Sequence, residues 1–407
     1  MKSIGVIGVN GKAIAESANR SGFKTYLVDY FSDLDNLQPQ EENQITHIPM
    51  QKDPLNPDFK TEYSREKLTD FAIEKLKGKV DAVLLASSVG SDYRMIEKIA
   101  NYFKILGNDP GTVKSAKDWI ILMKIFNKFN ITYPETRVFK SFGELKNLNI
   151  NYPVVIKPAI EKEFRMRHIN SDSELTAFLD DAREKFNTTG KKLTGKILVQ
   201  EFINGTPISS SVLSNGKGAV TLTVNKQFIG IKKLNAPGRF TYCGHVTPAN
   251  LDPDITVRVS EISNKIISKL NLIGSVGIDF VLKDNKIYFL EINPRFQDTI
   301  ESVEKSKNIN LVEKHINAVN GELEVNVNLD INSLNWYFGK GVLFADRTIK
   351  IGNLSNIPEV HDVPREGTLI REAEPVCTIS VSGKSEAEVM KKLYEKVELI
   401  NQFFHIE

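Results

Sequence analysis

The chain has 407 residues, with 53 Lys and Arg against 51 Asp and Glu, which gives a formal net charge of +2. This balance carries no electrostatic signature of a nucleic-acid partner or of an anionic membrane surface. The sequence turns polar at Asn10, too early for a signal-peptide core, and no apolar run approaches the ~18 residues of a membrane span. Cys243 and Cys377 are far apart, which fits a reducing compartment. We expect a cytoplasmic protein of roughly two to four domains that acts on small molecules.

The N-terminal part of the chain alternates between strand and helix patterns. Strands are predicted at residues 3–8, 24–29 and 80–86, and helices at residues 11–21 and 65–77. This rhythm is typical of βαβ units around a parallel sheet. A polar stretch with prolines at residues 36–62 is predicted to be a long surface connection.

The remainder has an α+β pattern. Helices are predicted at residues 115–129, 171–186, 252–270 and 310–319, and strands at residues 153–157, 196–202, 207–213, 219–224 and 227–231. From residue 322, short strands with turns lead to an amphipathic helix at residues 385–403.

A single lysine closes an apolar strand at residues 152–158, YPVVIKP. A lysine at the end of such a strand needs an anion, and a nucleotide phosphate would supply one. The alternative is a surface lysine whose ammonium reaches water along its alkyl chain. The pattern therefore makes Lys157 a candidate phosphate ligand.

A second strand, at residues 198–207 with the sequence LVQEFINGTP, runs into a tight turn bounded by Gly205 and Pro207. Such a segment offers main-chain N–H and C=O groups to an adenine edge between apolar walls. Taken alone this signal is weak, because most junctions of a strand and a turn bind no ligand.

The hairpin that follows carries acids inside apolar strands. If Asn285 is the centre of an odd-length loop, Asp279 lies six residues before it, opposite Glu291 six residues after it, and Asn293 shares their face. Like charges at opposite positions destabilise a sheet unless a cation lies between them. Mg²⁺ is the ion that such oxygens hold while leaving room for phosphate and water, and Mn²⁺ is a second candidate. The alternative, a surface hairpin with scattered acids, fits less well because each acid interrupts an apolar run.

Two other segments leave alternatives open. Gly8 and Gly11, with Asp29 at the end of the next strand, permit dinucleotide binding, but their spacing departs from GxGxxG. A tight turn before a helix, which could touch the substrate that accepts the transferred group, fits better. The aromatic segment at residues 240–248 could line an acceptor pocket, while its His245 is more often a structural histidine than a catalyst.

Three of these segments, in this order and spacing, together resemble the ATP-grasp superfamily. They are the lysine strand at residues 152–158, the strand and turn at residues 198–207 and the acidic hairpin. The resemblance runs from about residue 131 to residue 321 and is most specific at the Asp…Glu-x-Asn-Pro-Arg pattern of residues 279–295. The N-terminal region resembles the domain that precedes ATP-grasp modules, and residues 363–376 resemble the C-terminal part of biotin-carboxylase-related members. The chain is thus similar to a predicted ATP-dependent carboligase related to biotin carboxylase.

The resemblance implies a mixed α/β and α+β architecture. It divides the chain into an N-terminal parallel βαβ domain (1–113), an ATP-grasp module of two α+β subdomains (114–325) with a lid-like part at about 131–205, and a small C-terminal mixed domain (326–407). A homodimer is a candidate assembly.

The resemblance also implies ligands for ATP and Mg²⁺. Lys157 would contact ATP phosphate and Arg295 would face the transferred phosphate as a catalytic group. Adenine would meet the backbone of Glu201 and Ile203, and Gln200 and Phe202 belong to the same cofactor-binding segment. The metal would be held by Asp279, Glu291 and Asn293.

Three features depart from the family pattern. The loop at residues 159–168, usually rich in glycine, has none here, and Arg165 or Arg167 could supply charge instead. Trp119 stands where many relatives carry a basic residue, with Lys117 near but displaced. The acid that often binds ribose is absent from residues 207–211.

The resemblance implies an ATP- and Mg²⁺-dependent ligase that activates a carboxylate as an acyl phosphate for capture by an amine or another nucleophile. One alternative uses bicarbonate and forms carboxyphosphate. The other is an ATP-binding regulatory protein with weak catalysis, which the atypical loop and Trp119 would fit.

Overall fold

The computed structural model describes residues 1–37, 45–147, 150–158, 166–189, 196–323 and 336–406. The chain divides into two compact units. The first contains Met1–Lys114, Pro207–Ile278 and Ile292–Glu407, and the second contains Ser115–Thr206 and Asp279–Glu291. The predicted domain boundaries at residues 113 and 325 stay a prediction.

A parallel sheet in the first unit confirms the predicted βαβ rhythm. Its strand order is β3-β2-β1-β4. The strands are β1 (Ser3–Ile7), β2 (Lys24–Asp29), β3 (Ile45–Pro49) and β4 (Ala82–Leu85), with helices α1 (Lys12–Arg20), α2 (Leu34–Leu37), α3 (Phe59–Glu62), α4 (Arg65–Leu76), α5 (Tyr93–Ala100) and α6 (Pro110–Lys117). The surface connection predicted for residues 36–62 is wrong at β3, a half-buried edge strand whose weak apolar pattern hides it.

The second unit contains a four-stranded sheet in the order β5-β8-β6-β7. Its elements are α7 (Trp119–Phe129), β5 (Thr136–Phe139), β6 (Val154–Pro158), β7 (Arg167–Ile169), α8 (Asp172–Thr189) and β8 (Ile197–Glu201). The helix predicted at residues 115–129 is divided at Asp118, whose carboxylate accepts a hydrogen bond from the Ile120 N–H at 2.8 Å and so begins α7 as its N-cap.

A large sheet carries eight strands in the order β13-β12-β9-β10-β11-β14-β18-β16. The part before residue 324 contains β9 (Thr206–Asn215), β10 (Ala219–Ile229), β11 (Tyr242–Thr247), α9 (Pro253–Lys269), β12 (Ile273–Lys283), β13 (Lys286–Asn293), α10 (Ile300–Lys307) and α11 (Leu311–Val319). The C-terminal part contains β14 (Tyr337–Phe344), β15 (Ile349–Ile351), β16 (Val360–His361), β17 (Leu369–Ile370), β18 (Pro375–Gly383), α12 (Glu386–Asn401) and β19 (Phe404–Ile406). The predicted mixed architecture is confirmed.

Two strands predicted at residues 219–224 and 227–231 form the single strand β10. The polar Asn225 lies between the two predicted strands, and its side chain is buried within the sheet. Its amide nitrogen donates to Ser209 Oγ and Ser211 Oγ at 3.2 Å, and its amide oxygen accepts from Thr247 Oγ1 at 2.8 Å. Side-chain hydrogen bonds therefore let a polar residue continue a buried strand.

None of the described helices has both the length and the apolar character needed to cross a bilayer.

A buried histidine joins two elements of the first unit. His315 Nδ1 accepts the Ser275 N–H at 2.8 Å, and Nε2 lies 3.0 Å from the Leu106 carbonyl oxygen, to which it donates. Gly274 has φ 75°, and a Cβ there would lie 2.3 Å from the His315 ring, so glycine is required. Burial lowers the pKa of His315 to about 4. The imidazole is therefore neutral in the folded protein at neutral pH.

This shift predicts a pH-dependent loss of stability. The pKa of a histidine in the unfolded chain is about 6.5, so protonation favours unfolding, and stability falls as the pH drops from about 6.5 to about 4. His315→Gln should remove up to about 3 kcal/mol of that loss. Urea denaturation of both proteins between pH 7 and pH 4 measures the difference. The exposed His405→Gln is the matched control, and parallel curves for wild type and His315→Gln would contradict the assignment.

Candidate functional site

Lys157 lies near the end of β6, an inner strand of the sheet in the second unit. Its Nζ is 5.4 Å from the centroid of the Trp119 ring. The pKa of Lys157 is lowered to about 8, chiefly by burial and in part by Lys117, although the carboxylates of Glu291 and Asp279 raise it. The structure therefore brings the lysine from one predicted motif into the electrostatic field of two acids from another.

Trp119 explains one departure from the family pattern. Its side chain is only 6% exposed, and its ring packs on Phe126 and Phe289 at centroid distances of 6.4 and 5.7 Å. These contacts join α7 to β13 within the second unit. Trp119 thus contributes packing and a π surface for the Lys157 ammonium in place of a charge.

Lys117 is the site residue that sequence reasoning set aside. It ends α6, one residue before the Asp118 N-cap, and its Nζ lies 2.5 Å from Glu291 Oε1. The lysine side chain is 15% exposed and the glutamate side chain 52% exposed. The displaced position counted against Lys117, but a side chain of four methylenes reaches Glu291 across the bend between two helices. The sequence signal that could have identified Lys117 is its position directly before Asp118, the N-cap of an apolar helix.

The hairpin corrects one part of the sequence argument. Only Asp284 and Asn285 separate β12 from β13, with φ values of 48° and 59°. The predicted odd-length loop is therefore wrong, since the turn has two residues. Asp and Asn tolerate consecutive positive φ angles, which are typical of this tight hairpin turn. A regular ladder would then place Asp279 opposite Leu290. Along β13, Ile287 and Phe289 are buried, so the alternation predicts that Glu291 is buried too. Glu291 is exposed instead, so the regular alternation is interrupted there.

The two acids remain close enough to Lys157 for both to raise its pKa. Among the described residues there is no group of three or more His, Cys, Asp or Glu side chains arranged to hold a metal. The predicted set contains two carboxylates and one amide, because its third member is Asn293, the last residue of β13. Glu291 already accepts one cation, the Lys117 ammonium, so its oxygens are oriented for positive charge. Carboxylate and amide oxygens are the donor types that an ion with additional water and phosphate ligands prefers.

The predicted adenine segment lies at the end of β8. Gln200 is buried, and its amide nitrogen donates to Thr136 Oγ1 at 2.9 Å. The Glu201 N–H bonds to the Glu135 carbonyl oxygen at 2.9 Å. Within the described part of the chain, no protein acceptor is bonded to the N–H of the buried Ile203. Ile203 is one of the two residues whose backbone was predicted to meet adenine.

Phe202 completes the predicted segment. Its N–H bonds to the Pro153 carbonyl oxygen at 3.0 Å, and its ring meets His168 edge-on at 4.5 Å. The segment is therefore joined to the strand that carries Lys157 through the backbone of residue 153.

Arg295 belongs to the first unit. Its Nε donates to Ser91 Oγ at 3.0 Å and its Nη1 donates to the Phe296 carbonyl oxygen at 2.6 Å. Asn108 donates to the carbonyl oxygens of Ile273 and Pro294 at 3.0 and 3.1 Å, which fixes the backbone just before the arginine. Sequence reasoning missed Ser91 and Asn108, since neither lies in a pattern that predicts contact with Arg295.

Other predicted features are also located. A Cβ on Gly8 would lie 2.4 Å from Ala86 Cβ, so close strand packing accounts for this glycine. His245 is fully buried in β11. Most of the glycine-free loop, including Arg165, lies outside the described residues, and Arg167 begins β7.

Known proteins share this architecture. An uncharacterized protein of Methanocaldococcus jannaschii is 26% identical over 411 residues, covering 96% of this chain and 91% of that protein. The L-amino acid ligase of Bacillus licheniformis has a similar fold, with a TM-score of 0.68, 18% identity and coverage of 100% of this chain and 98% of that one. The biotin carboxylase domain of Hydrogenobacter thermophilus 2-oxoglutarate carboxylase, solved with MgADP, ADP and bicarbonate, gives a TM-score of 0.74, 14% identity and coverage of 100% and 90%.

A family comparison adds the assignment. Residues 122–299 match the model of the ATP-grasp domain, a range that contains Lys157, the segment around Ile203 and the acidic hairpin. The predicted resemblance, which started near residue 131 and ended near residue 321, covers the same region. Residues 122–299 therefore form an ATP-grasp domain.

Proposed function

We propose that this protein is an ATP- and Mg²⁺-dependent ligase that activates a carboxylate as an acyl phosphate and transfers the acyl group to an amine. The observation that carries the proposal is the charge arrangement of the second unit, in which Lys157 lies in the field of Asp279 and Glu291 and Lys117 contacts Glu291 directly. Alternating cations and carboxylates are suited to a polyphosphate and its metal ion. The fold likeness to an L-amino acid ligase supports the bond type.

The reaction has two steps. A carboxylate oxygen of the donor attacks the γ-phosphorus of ATP, the bond to the bridging oxygen breaks, and ADP leaves as the acyl phosphate forms. An amine nitrogen then attacks the acyl carbon, the bond from carbon to the phosphate oxygen breaks, and the amine loses one proton as amide and phosphate form.

The chain's own residues have separate roles in this scheme. Lys157 binds a phosphate oxygen through its ammonium, and the segment from Gln200 to Ile203 orients adenine through the backbone of Glu201 and Ile203. Arg295, fixed by Ser91, offers its guanidinium to the transferred phosphoryl group. The metal ligands are Asp279, Glu291 and Asn293, and a bound Mg²⁺ would neutralise charge on the phosphates.

Bicarbonate is a second candidate donor, because the biotin carboxylase domain with a similar fold was solved with that anion. Carboxyphosphate would then replace the acyl phosphate. A regulatory protein that binds ATP without turnover is a third candidate, favoured by the aromatic residue at position 119.

An ADP-release screen separates these candidates. Small carboxylates, amino acids and bicarbonate serve as donors, and hydroxylamine traps an acyl phosphate as a coloured hydroxamate. The proposal predicts ADP release that depends on a carboxylate, with hydroxamate formation. Release that depends on bicarbonate without hydroxamate supports carboxylation, and tight ATP binding without release supports regulation.

Glu291→Gln should abolish turnover with little effect on folding. The exchange is nearly isosteric and the side chain is half exposed, so the fold loses only an exposed ion pair, worth about 0–1 kcal/mol. ADP release and thermal denaturation measure the two effects. Asp284→Asn in the turn of the same hairpin is the matched control. ADP formation at the wild-type rate by Glu291→Gln would refute the metal assignment.

Lys157→Met should weaken ATP binding by about 2 kcal/mol, the scale of a lost charge-assisted hydrogen bond. Thermal stability should not fall, because the lowered pKa of Lys157 means that the fold disfavours its charged form. Calorimetry with ATP and a melting curve test both statements, with the exposed Lys286→Ala as control. A less stable protein with unchanged ATP affinity would mean that Lys157 is structural.

Lys117→Ala should tighten the binding of Mg²⁺ in the absence of nucleotide. The ammonium now on Glu291 competes with the ion, and a partly exposed pair of this kind is worth about 0.2–1 kcal/mol, or roughly a 1.5- to 5-fold change in affinity. Titration of Mg²⁺ followed by Trp119 fluorescence measures it. Unchanged or weaker binding in Lys117→Ala, relative to Lys286→Ala, would show that the two cations do not share Glu291.

A further inference from the structure

A buried lysine in the first unit holds two carboxylates. Lys340 lies on β14, and its Nζ donates to Asp298 Oδ1 at 2.9 Å and to Glu301 Oε2 at 3.2 Å. Burial opposes the charge on Lys340, but the attraction of Asp298, Glu301 and Asp362 raises its pKa above the usual range. The lysine is therefore a permanent cation shared among several acids.

The second oxygen of Asp298 is held from the other side. The Tyr242 hydroxyl lies 3.2 Å from Asp298 Oδ2 and 2.8 Å from His245 Nδ1, and His245 Nε2 lies 2.8 Å from Ser302 Oγ. Burial lowers the pKa of His245 to about 4, so the ring is neutral.

These distances assign the direction of each hydrogen bond. An ionised carboxylate only accepts, so the Tyr242 proton points to Asp298. The His245 Nδ1–H then donates to the tyrosine oxygen, and Ser302 donates to Nε2. The chain of donors runs from Ser302 to Asp298 and fixes that carboxylate in one orientation.

Accessibility decides what this arrangement presents to a ligand. The side chain of Lys340 is 8% exposed, whereas those of Asp298 and Glu301 are 38% and 26% exposed. Although burial opposes ionisation, Lys340 lowers the pKa of both carboxyl groups, so both are charged at neutral pH. One lysine neutralises only one of the two acids, and the excess negative charge lies on the more exposed carboxylates.

Asp298 is close in sequence to Arg295, the residue proposed to face the transferred phosphate. Asp298 follows Arg295 by three residues, a chain length that spans at most about 11 Å. Gln297, between them, donates to the Arg295 carbonyl oxygen, so the segment is folded on itself. An acid held in this way lies within that distance, along the chain, of the residue proposed to face the transferred phosphate.

We propose that Asp298 determines the class of acceptor by binding the ammonium form of a primary amine, and that Lys340 and Tyr242 position its carboxylate. This inference rests on the proposed function and narrows it, because an anionic or uncharged acceptor lacks the positive charge that Asp298 would bind. The amine is held before it loses its proton and attacks. Asp298 is thus a specificity-determining residue, while Lys340 and Tyr242 act through it.

The test is the variant Asp298→Asn, which keeps an oxygen for Lys340 while removing the charge. With the donor found by ADP release, KM is measured for a primary alkylamine, protonated at pH 8, and for hydroxylamine, uncharged at pH 8. We expect KM for the alkylamine to rise at least about tenfold, the scale of a lost charge-assisted contact, with KM for hydroxylamine unchanged. Asp346→Asn, at an exposed acid of the same unit, is the control.

Two further variants separate positioning from packing. Tyr242→Phe keeps the Asp298 charge but loses one donor, so KM for the alkylamine should rise severalfold while kcat stays constant. Asp298→Glu restores the charge and should recover part of the preference for the alkylamine. Equal changes of both KM values in Asp298→Asn, or a wild-type enzyme that prefers uncharged acceptors, would overturn the inference.

A binding measurement keeps the inference distinct from the proposed function. Saturation-transfer NMR with n-butylammonium and n-butanol, each added to the full chain with ADP, requires no turnover. Binding of the cation alone, lost in Asp298→Asn, supports the charge preference even if no donor yields ADP. Equal signals from both probes would overturn it, whatever the activity screen gives.

Discussion

The charge balance around Lys157 is the constraint on which the proposed chemistry depends. A lysine placed against the Trp119 ring loses hydration, and its pKa falls to about 8. Asp279 and Glu291 oppose that fall, and Lys117 in turn pairs with Glu291. Without the acids the two lysines would repel each other, and without the lysines the two acids would do so. A polyphosphate with a divalent ion provides the same alternation of charge, so it can take the place of these internal pairs.

The family pattern places a basic residue where this chain has Trp119, and Lys117 lies two residues before it. Trp119 joins an aromatic cluster with Phe126 and Phe289, and this packing fixes α7 against β13. The charge is instead supplied by Lys117 from the end of α6, across the Asp118 cap. A flexible lysine tolerates a shift of two residues because its ammonium, unlike an aromatic ring, is located by its partner.

Similarity of fold leaves the substrate undetermined. The ligase and carboxylase with similar folds share 18% and 14% identity with this chain, and one fold supports many reactions through a few side chains. In this chain the side chains proposed to select a cationic acceptor are those around Lys340. Their network is nearly closed, with each hydrogen-bonding atom of Asp298 and His245 given a partner. Because these hydrogen bonds are all formed, the Asp298 carboxylate is held in one orientation, which a specific contact requires.

The sequence by itself determined the parallel βαβ sheet, the strand that ends at Lys157 and the presence of an ATP-grasp domain, because these depend on local periodicity and on motif spacing. It could not determine the continuity of β10, since the hydrogen bonds that bury Asn225 come from distant strands. Likewise, the turn at Asp284 and Asn285, the contact between Lys117 and Glu291 and the bond from Arg295 to Ser91 came only with the tertiary structure. The last two join residues 174 and 204 positions apart, and no local pattern encodes which distant side chain will satisfy a charge.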